Sequence, residues 1–263
     1  MDSHRPPTAE ELQERLGQQY KDISLLVGNL AHEIKNPLST IRLSLDLLAE
    51  DFPDPESPRD RRALDRLARM QRECQRLQNL LDDFLQYFKP GNVRREPSDL
   101  NEEVRRVIDF FRPKAEECRI EVIPYLQSDL PSVQLDREAF HGALLNLVIN
   151  AQQAMPEGGQ LVFGTEATSR GVALHLIDTG CGMDEATLSK IFETFYSTKR
   201  GGSGLGLPMT QKVIEAHGGK IGFERLPQGL SQFWFTIPTA ESAQSSQGAV
   251  FTAGSVPGMP NAR

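Results

Sequence analysis

Apolar positions recur in steps of three and four over two long stretches of the chain, and the pattern then changes to alternation. In the first stretch Ile23, Leu26, Leu30, Ile34, Leu38, Ile41, Leu45 and Leu48 keep that spacing, the period of a helix with one buried stripe. Leu12, Leu16 and Tyr20 carry the stripe backward, and Pro6-Pro7 before Thr8-Ala9-Glu10-Glu11 fits a capping box. The spacing predicts a helix from about residue 8 to about residue 50, a length that suggests a coiled coil. Pro37 stands inside it, and a missing backbone donor there predicts a bend. Phe52-Pro53-Asp54-Pro55-Glu56-Ser57-Pro58 reads as a turn. Leu64, Leu67, Met70, Cys74, Leu77, Leu81, Phe84 and Phe88 then form a second helical stripe that ends at Lys89-Pro90-Gly91. Two helices with one narrow stripe each form a hairpin that buries too little alone. Pairing two hairpins into a four-helix bundle solves this, so a homodimer is expected.

Beyond Val93 strands and helices alternate. Leu100 to Phe111 reads as a helix capped at Ser98 or Asp99, Arg119 to Tyr125 as a strand and Arg137 to Ala154 as a strongly apolar helix. Residues 160–166, 172–178, 219–225 and 232–237 read as strands, with a helix at 205–217. The expected fold is an all-α hairpin followed by an α+β sandwich of one sheet against helices. The domains predicted are a helical lead-in at 1–20, the hairpin at 21–90, the sandwich at 91–238 and a disordered tail at 239–263.

Composition narrows the setting. Of 263 residues 38% are hydrophobic and 25% charged, and no apolar run is long enough to span a bilayer. The N-terminus has no signal-peptide core, so a cytoplasmic chain, or the cytoplasmic part of a larger one, is expected. A net charge of −7 and a pI near 5.4 argue against nucleic acid as the main partner. Cys74, Cys118 and Cys181 are scattered and odd in number, which suggests a reducing compartment and no structural zinc. Seven arginines between Arg59 and Arg76 are interleaved with Asp60, Asp65 and Glu73, which favours a solvated helix face over a basic groove.

Five places carry candidate chemistry. His32 falls about 200° around the helix from both Leu30 and Ile34, off the stripe and toward solvent. With Glu33 beside it, it is a nucleophile next to a carboxylate, though most exposed histidines are only solvated. Asn146 and Asn150 lie four apart on one face of the apolar helix. Two such amides need partners, either structural hydrogen bonds or a hard cation taking their oxygens. Asp178-Thr179-Gly180-Cys181-Gly182 follows an apolar strand: a carboxylate able to accept from an exocyclic amine, then glycines that let the backbone approach a flat base. Gly201-Gly202-Ser203-Gly204-Leu205-Gly206 opens a helix, the arrangement of an anion site. It matches neither the P-loop, which needs a following Gly-Lys-Ser/Thr, nor the dinucleotide fingerprint, which follows a strand. Before it, Phe192 to Arg200 reads either as an aromatic-anchored loop with Lys199 in reach of phosphates or as a small surface core.

In this order and spacing the five clusters resemble the kinase core of two-component sensor histidine kinases over about residues 20–238. His32 falls in the H box, Asn146 and Asn150 in the N box, Asp178, Gly180 and Gly182 in the first glycine box. Phe192 to Phe195 fall in the F box and Gly202 to Gly206 in the second glycine box. His-Glu-x-x-Asn-Pro and Asn-Ala-x-x-Ala-Met-Pro are closest in style to the nitrogen-regulator-like members. The resemblance implies a gyrase-like ATPase sandwich that binds ATP and Mg²⁺. Asp178 would meet the adenine amine, Asn150 with Asn146 would hold the metal, and the glycines with Leu205 would form the lid hinge and phosphate cradle. It implies attack by His32 on the γ-phosphoryl group with Glu33 as base or orienter, and transfer to an aspartate of a partner response regulator. Asn36 matches the position that orients a water for dephosphorylating that regulator. Gln152 and Gln153 stand where many members carry a basic residue, which shifts phosphate contact onto Lys199. Only about twenty residues precede the hairpin, so a larger parent protein or an upstream signalling partner is expected. Topoisomerase, mismatch-repair and chaperone ATPases and serine-directed anti-sigma kinases share the nucleotide clusters but have no reason to carry His32. A degenerate scaffold would not need Asp178, Asn150 and the glycine lid intact.

Overall fold

The computed structural model describes residues 9–52, 57–88, 93–169, 171–199 and 202–239. Expectations on Thr8, on the side chains of Leu12, Leu16, Tyr20 and Ile23, on residues 53–56 and 89–91, and on the tail after Thr239 lie outside them. Helices α1 (Ala9–Glu50) and α2 (Pro58–Phe88) form the antiparallel hairpin. Their seam carries few apolar contacts: Leu45, Leu67 and Cys74 are buried, with Leu64, Ala49 and Phe52 packed against them. Polar pairs complete it. Lys35 Nζ meets Asp82 Oδ1 at 2.9 Å, Ser39 accepts from Gln78 at 3.5 Å, Arg42 donates to Gln75 at 2.7 Å, and Gln71 donates to Asp46 at 2.8 Å. These pairs step along both helices in one constant register, which brings residue 32 level with residue 85.

The apolar stripe of α1 proves to be two stripes. Ala31 and Leu45 face α2, whereas Leu30, Ile34, Ile41 and Leu48 stay exposed beside them, as do Met70 and Leu77 of α2. The single buried stripe expected for α1 is therefore corrected, because steps of three and four average two neighbouring heptad seams into one. Only one seam is covered by this chain. α1 runs unbroken through Pro37, and the hydroxyls of Ser39 and Thr40 donate back to the carbonyls of Lys35 and Asn36 at 2.9 and 3.2 Å. All seven arginines of α2 are exposed.

The second unit opens with β1 (Glu96–Ser98), α3 (Leu100–Glu117), β2 (Ile120–Leu126), β3 (Val133–Leu135) and α4 (Arg137–Ala154). It continues with β4 (Gly159–Thr168), β5 (Gly171–Asp178), α5 (Glu185–Leu188), α6 (Gly206–Ala216), β6 (Lys220–Arg225) and β7 (Ser231–Pro238). A five-stranded sheet of order β2-β4-β5-β7-β6 is antiparallel except for the β2–β4 pair, and β1 pairs with β3 separately. The helices pack on one face. Phe140, Leu144, Leu147 and Val148 of α4 are buried against Phe163, Leu174, Leu176 and Phe235 of the sheet, and the rings of Phe140 and Phe235 meet edge-on at 5.4 Å.

Two differences from the expected elements have physical causes. α3 continues past Phe111 through Pro113, because buried Ala115 holds the last turn while the carbonyl freed by proline belongs to exposed Asp109. The three-residue strands β1 and β3 are too short to show an alternation. At the N-terminus of α3, Asp99 is the cap, accepting from Asn101 N–H at 2.7 Å. Thr239, placed in the tail by its composition, forms a bridge with Val133. Leu147 is fully buried at the centre of α4. Leu147→Ala is expected to destabilise the sandwich by about 3 kcal/mol, measured by urea unfolding with Trp234, the one tryptophan of the chain, as the fluorescent probe.

Candidate functional site

The loops that leave β5 and enter α6 converge on the polar edge of α4. Asp178 ends β5 with only 3% of its surface exposed, and its Oδ1 accepts from Gly180 N–H at 2.9 Å. Burial pushes its pKa up to about 6, against the Gly180 N–H and the charge of Lys199, which pull it down. Cys181 N–H donates to Ala154 C=O at 3.1 Å and so ties this loop to the end of α4. Across the sheet Asp178 is in register with Ser231 of β7. The Ser231 hydroxyl is buried and has no hydrogen-bond partner among the described residues, and it lies beside the position of Gly182. A carboxylate and an unsatisfied hydroxyl thus stand opposite each other across the β5–β7 pair.

Asn146 and Asn150 form the wall. Asn146 Nδ2 donates to Thr210 Oγ1 of α6 at 2.9 Å, and Thr210 Oγ1 in turn lies 3.1 Å from Gly206 C=O. Gly206 presses so close that a Cβ on it would sit 2.5 Å from Asn146 Oδ1. α6 starts there, and no side chain caps its first turn. Its free N–H groups are therefore available to an anion. Asn150 Oδ1 accepts from Lys199 Nζ at 2.8 Å, and the same ammonium donates to Gln153 Oε1 at 2.5 Å. Burial lowers the Lys199 pKa, opposed by Cys181 and Asp178.

The aromatic segment divides. Ile191 is buried and Phe192 packs on the main core, whereas Phe195 is 64% exposed, in the left-handed region at φ 66°. Phe195 N–H donates to Gly204 C=O at 3.0 Å. Gly204 also has φ 66°, and a Cβ there would collide with the backbone of Phe195 and Tyr196. Gly202 N–H donates to Lys199 C=O at 3.2 Å, and Leu205 is buried. The Phe195 ring faces Phe84 of α2 at 6.4 Å, and Lys212 of α6 donates to Tyr87 C=O at 3.0 Å with its ammonium 4.2 Å from the Tyr87 ring centre. The sandwich therefore rests on the hairpin near its residue 85.

The structure thus brings Asn146, Asn150, Asp178, Gly180, Gly182, Lys199, Gly202, Gly204, Leu205 and Gly206 into one cluster. His32, Glu33 and Asn36 are exposed on α1, outside it, at the level where Phe195 meets α2. Thr210 and Ser231 escape the sequence reading. Thr210 lies on an ordinary helical repeat, and Ser231 becomes visible only when the β5–β7 register is known.

Two family models match the chain. Residues 22–92 match the His Kinase A (phospho-acceptor) domain, and residues 135–241 match the Histidine kinase-, DNA gyrase B-, and HSP90-like ATPase. Among curated relatives, the sensory histidine kinase/phosphatase NtrB of Klebsiella oxytoca is 31% identical over 90% of this chain and 68% of its own. The structure of full-length ShkA in complex with AMPPNP superposes with a TM-score of 0.66 at 26% identity, covering 82% of this chain and 46% of that one. That of the histidine kinase ThkA in complex with the response regulator TrrA shares the fold, at a TM-score of 0.64 and 24% identity over 89% and 68% of the two chains. This chain belongs to the two-component sensor histidine kinases. It spans about half the length, or less, of the first curated relatives that it matches. Among the described residues no helix is long and apolar enough to cross a membrane.

Asp178 generates a prediction about stability. A carboxylate whose folded pKa lies above its unfolded value of 3.8 gains a proton on folding between about pH 4 and 6, so its cost is fully present above that window. The shift corresponds to roughly 3 kcal/mol at pH 7. Asp178→Asn is expected to unfold at higher urea than the wild type at pH 7, with the gap closing as the pH falls toward 4. A variant less stable than the wild type at pH 7 contradicts this.

Proposed function

We propose that this chain autophosphorylates His32 from ATP and passes the phosphoryl group to an aspartate of a partner response regulator. The observation that carries this is the pairing of two separate features on one fold. One is a cluster with a buried carboxylate at one end and a cation-binding amide at the other; the other is an exposed His-Glu pair on a hairpin. In this cluster the ionised Asp178 accepts from the adenine amine, and the Ser231 hydroxyl, without a partner among the described residues, suits the same base edge. Gly180 and Gly182 let the base lie against the backbone. The start of α6 at Gly206 and the glycines Gly202 and Gly204 with Leu205 cradle the phosphates, and Lys199 reaches them. Asn150 already holds a cation through its Oδ1, so it fits Mg²⁺, with Asn146 beside it; a bound Mg²⁺ supplies charge neutralisation of the β- and γ-phosphates.

On the hairpin, the exposed His32 ring is the nucleophile, and Glu33 takes its proton or orients it. Asn36, one turn on, positions a water in the reverse hydrolysis of the phosphorylated regulator, an activity supported by likeness to a kinase/phosphatase. That likeness and the His32–Pro37 motif support a place in the nitrogen-regulator-like subgroup. Leu30, Ile34, Ile41 and Leu48 are the face a second copy covers to complete a four-helix bundle, so the working unit is a homodimer. The seam between α1 and α2 is largely polar, which suits input from an upstream partner acting on α1. ATP as phosphoryl donor and three unpaired cysteines fit a cytoplasmic setting.

The test is incubation with γ-labelled Mg·ATP, with no regulator present. The wild type is expected to take up an acid-labile, base-stable label that His32→Gln loses completely. Label that is acid-stable, or that persists in His32→Gln, refutes the assignment. Asn36→Ala is expected to keep the label and to lose regulator dephosphorylation at least tenfold.

A further inference from the structure

We propose that Lys199 is a resident cation that occupies the metal position at Asn150 until metal-bound nucleotide displaces it, so that the lid is latched by the same oxygen that later holds Mg²⁺. The inference rests on the ATP reading above and adds a control step to it.

The geometry is specific to this pair of elements. Asn150 and Gln153 lie three apart on α4, and both turn their amide oxygens to one ammonium, at 2.8 and 2.5 Å. That ammonium belongs to the lid, whose backbone is turned by Gly202 and Gly204. Among the described residues the ammonium's two hydrogen-bond acceptors are neutral oxygens, the donor set that also suits a hard cation, and Asp178 acts on it only through space. Gln153 serves as the second acceptor for the basic residue that the loop brings to α4.

A lysine ammonium and a divalent cation do not share Asn150 Oδ1, because the two positive charges would lie within contact distance of each other on one oxygen. Nucleotide without metal leaves the latch in competition only with the phosphates for Lys199. Metal-bound nucleotide removes Asn150 from Lys199 and gives the ammonium the phosphates in exchange. Latch and ligand are therefore alternatives, and a change that weakens the latch without touching the nucleotide contacts favours the metal-bound state. Gln153 separates this mechanism from a simple phosphate contact. It holds Lys199 only in the latched state and has no part in the proposed nucleotide cradle.

The experiment combines hydrogen exchange of the lid amides at 196–199 and 202–204 in the free chain with equilibrium binding of a fluorescent ADP analogue, with Mg²⁺ or with EDTA. Lys199→Met and Gln153→Ala are each expected to speed lid exchange severalfold without nucleotide, and the double variant is expected to be no faster than Lys199→Met. Gln153→Ala is expected to bind the Mg²⁺-loaded analogue about threefold more tightly than the wild type. Wild-type exchange rates in Lys199→Met overturn the latch. Weaker Mg²⁺-dependent binding by Gln153→Ala makes Gln153 a ligand of the nucleotide or metal and overturns the competition. Absence of any nucleotide binding refutes the ATP reading, and the exchange rates of the free chain still decide the latch.

Discussion

Helix α4 must be dry on one side and polar on the other, and the sandwich is organised around holding it in that orientation. Its dry side, Phe140, Leu144, Leu147 and Val148, supplies roughly 2 kcal/mol per side chain against the sheet. Rotation by a fraction of a turn would bury Asn146 and expose leucine. The start of the helix is fixed as well: Asp136 Oδ1 caps Ala139 N–H at 3.1 Å, while Asp136 N–H donates to His217 Nε2 at 2.8 Å. His217 Nδ1 in turn donates to Val213 C=O at 2.7 Å, so both ring nitrogens are used and the ring is neutral. Burial, together with Arg95, lowers its pKa and keeps it so, against Val213 C=O and Asp136. The end of α6 is thereby clamped to the beginning of α4, and Thr210, near the middle of α6, arrives opposite Asn146.

The hairpin is held by different physics. Few apolar side chains lie between α1 and α2, and exposed polar pairs of this kind are each worth about 0–1 kcal/mol. The register is thus defined by many weak contacts instead of one strong core. Such a seam is specific in its alignment yet shallow in energy. The sandwich, with its continuous core, is the rigid partner that rests against it through Phe84, Tyr87, Phe195 and Lys212.

Much of this was legible in the sequence because the period of each element is a local property. α4 was bounded at Arg137 and Ala154 from its pattern alone, and the five strands of the sheet were found within a residue or two. What escaped was non-local. The two seams of α1 differ only in which neighbour covers them, and spacing carries no information about neighbours. Proline inside a helix removes a donor and ordinarily ends it, yet at Pro113 a buried residue beyond it and a solvated carbonyl before it let the helix pass. In the site, Asp178, Asn146 and Asn150 stood out because their surroundings in the chain are apolar or glycine-rich. Ser231 sits in an ordinary strand and gains its importance from the residue across from it. Lys199 was recognisable as a charge near glycines, but its partners lie 46 and 49 positions away, a distance that only the fold closes.

The bond from Phe195 N–H to Gly204 C=O joins the two ends of the lid at its base. Above that pinch the loop meets the floor beneath it through the flexible Lys199 side chain. Residues can be inserted or deleted between 196 and 203 without moving Asn146, Gly206 or Asp178, because the strain of a longer or shorter loop stops at the pinch. Selection is therefore free to alter what the loop touches above the pocket while the pocket itself stays constant.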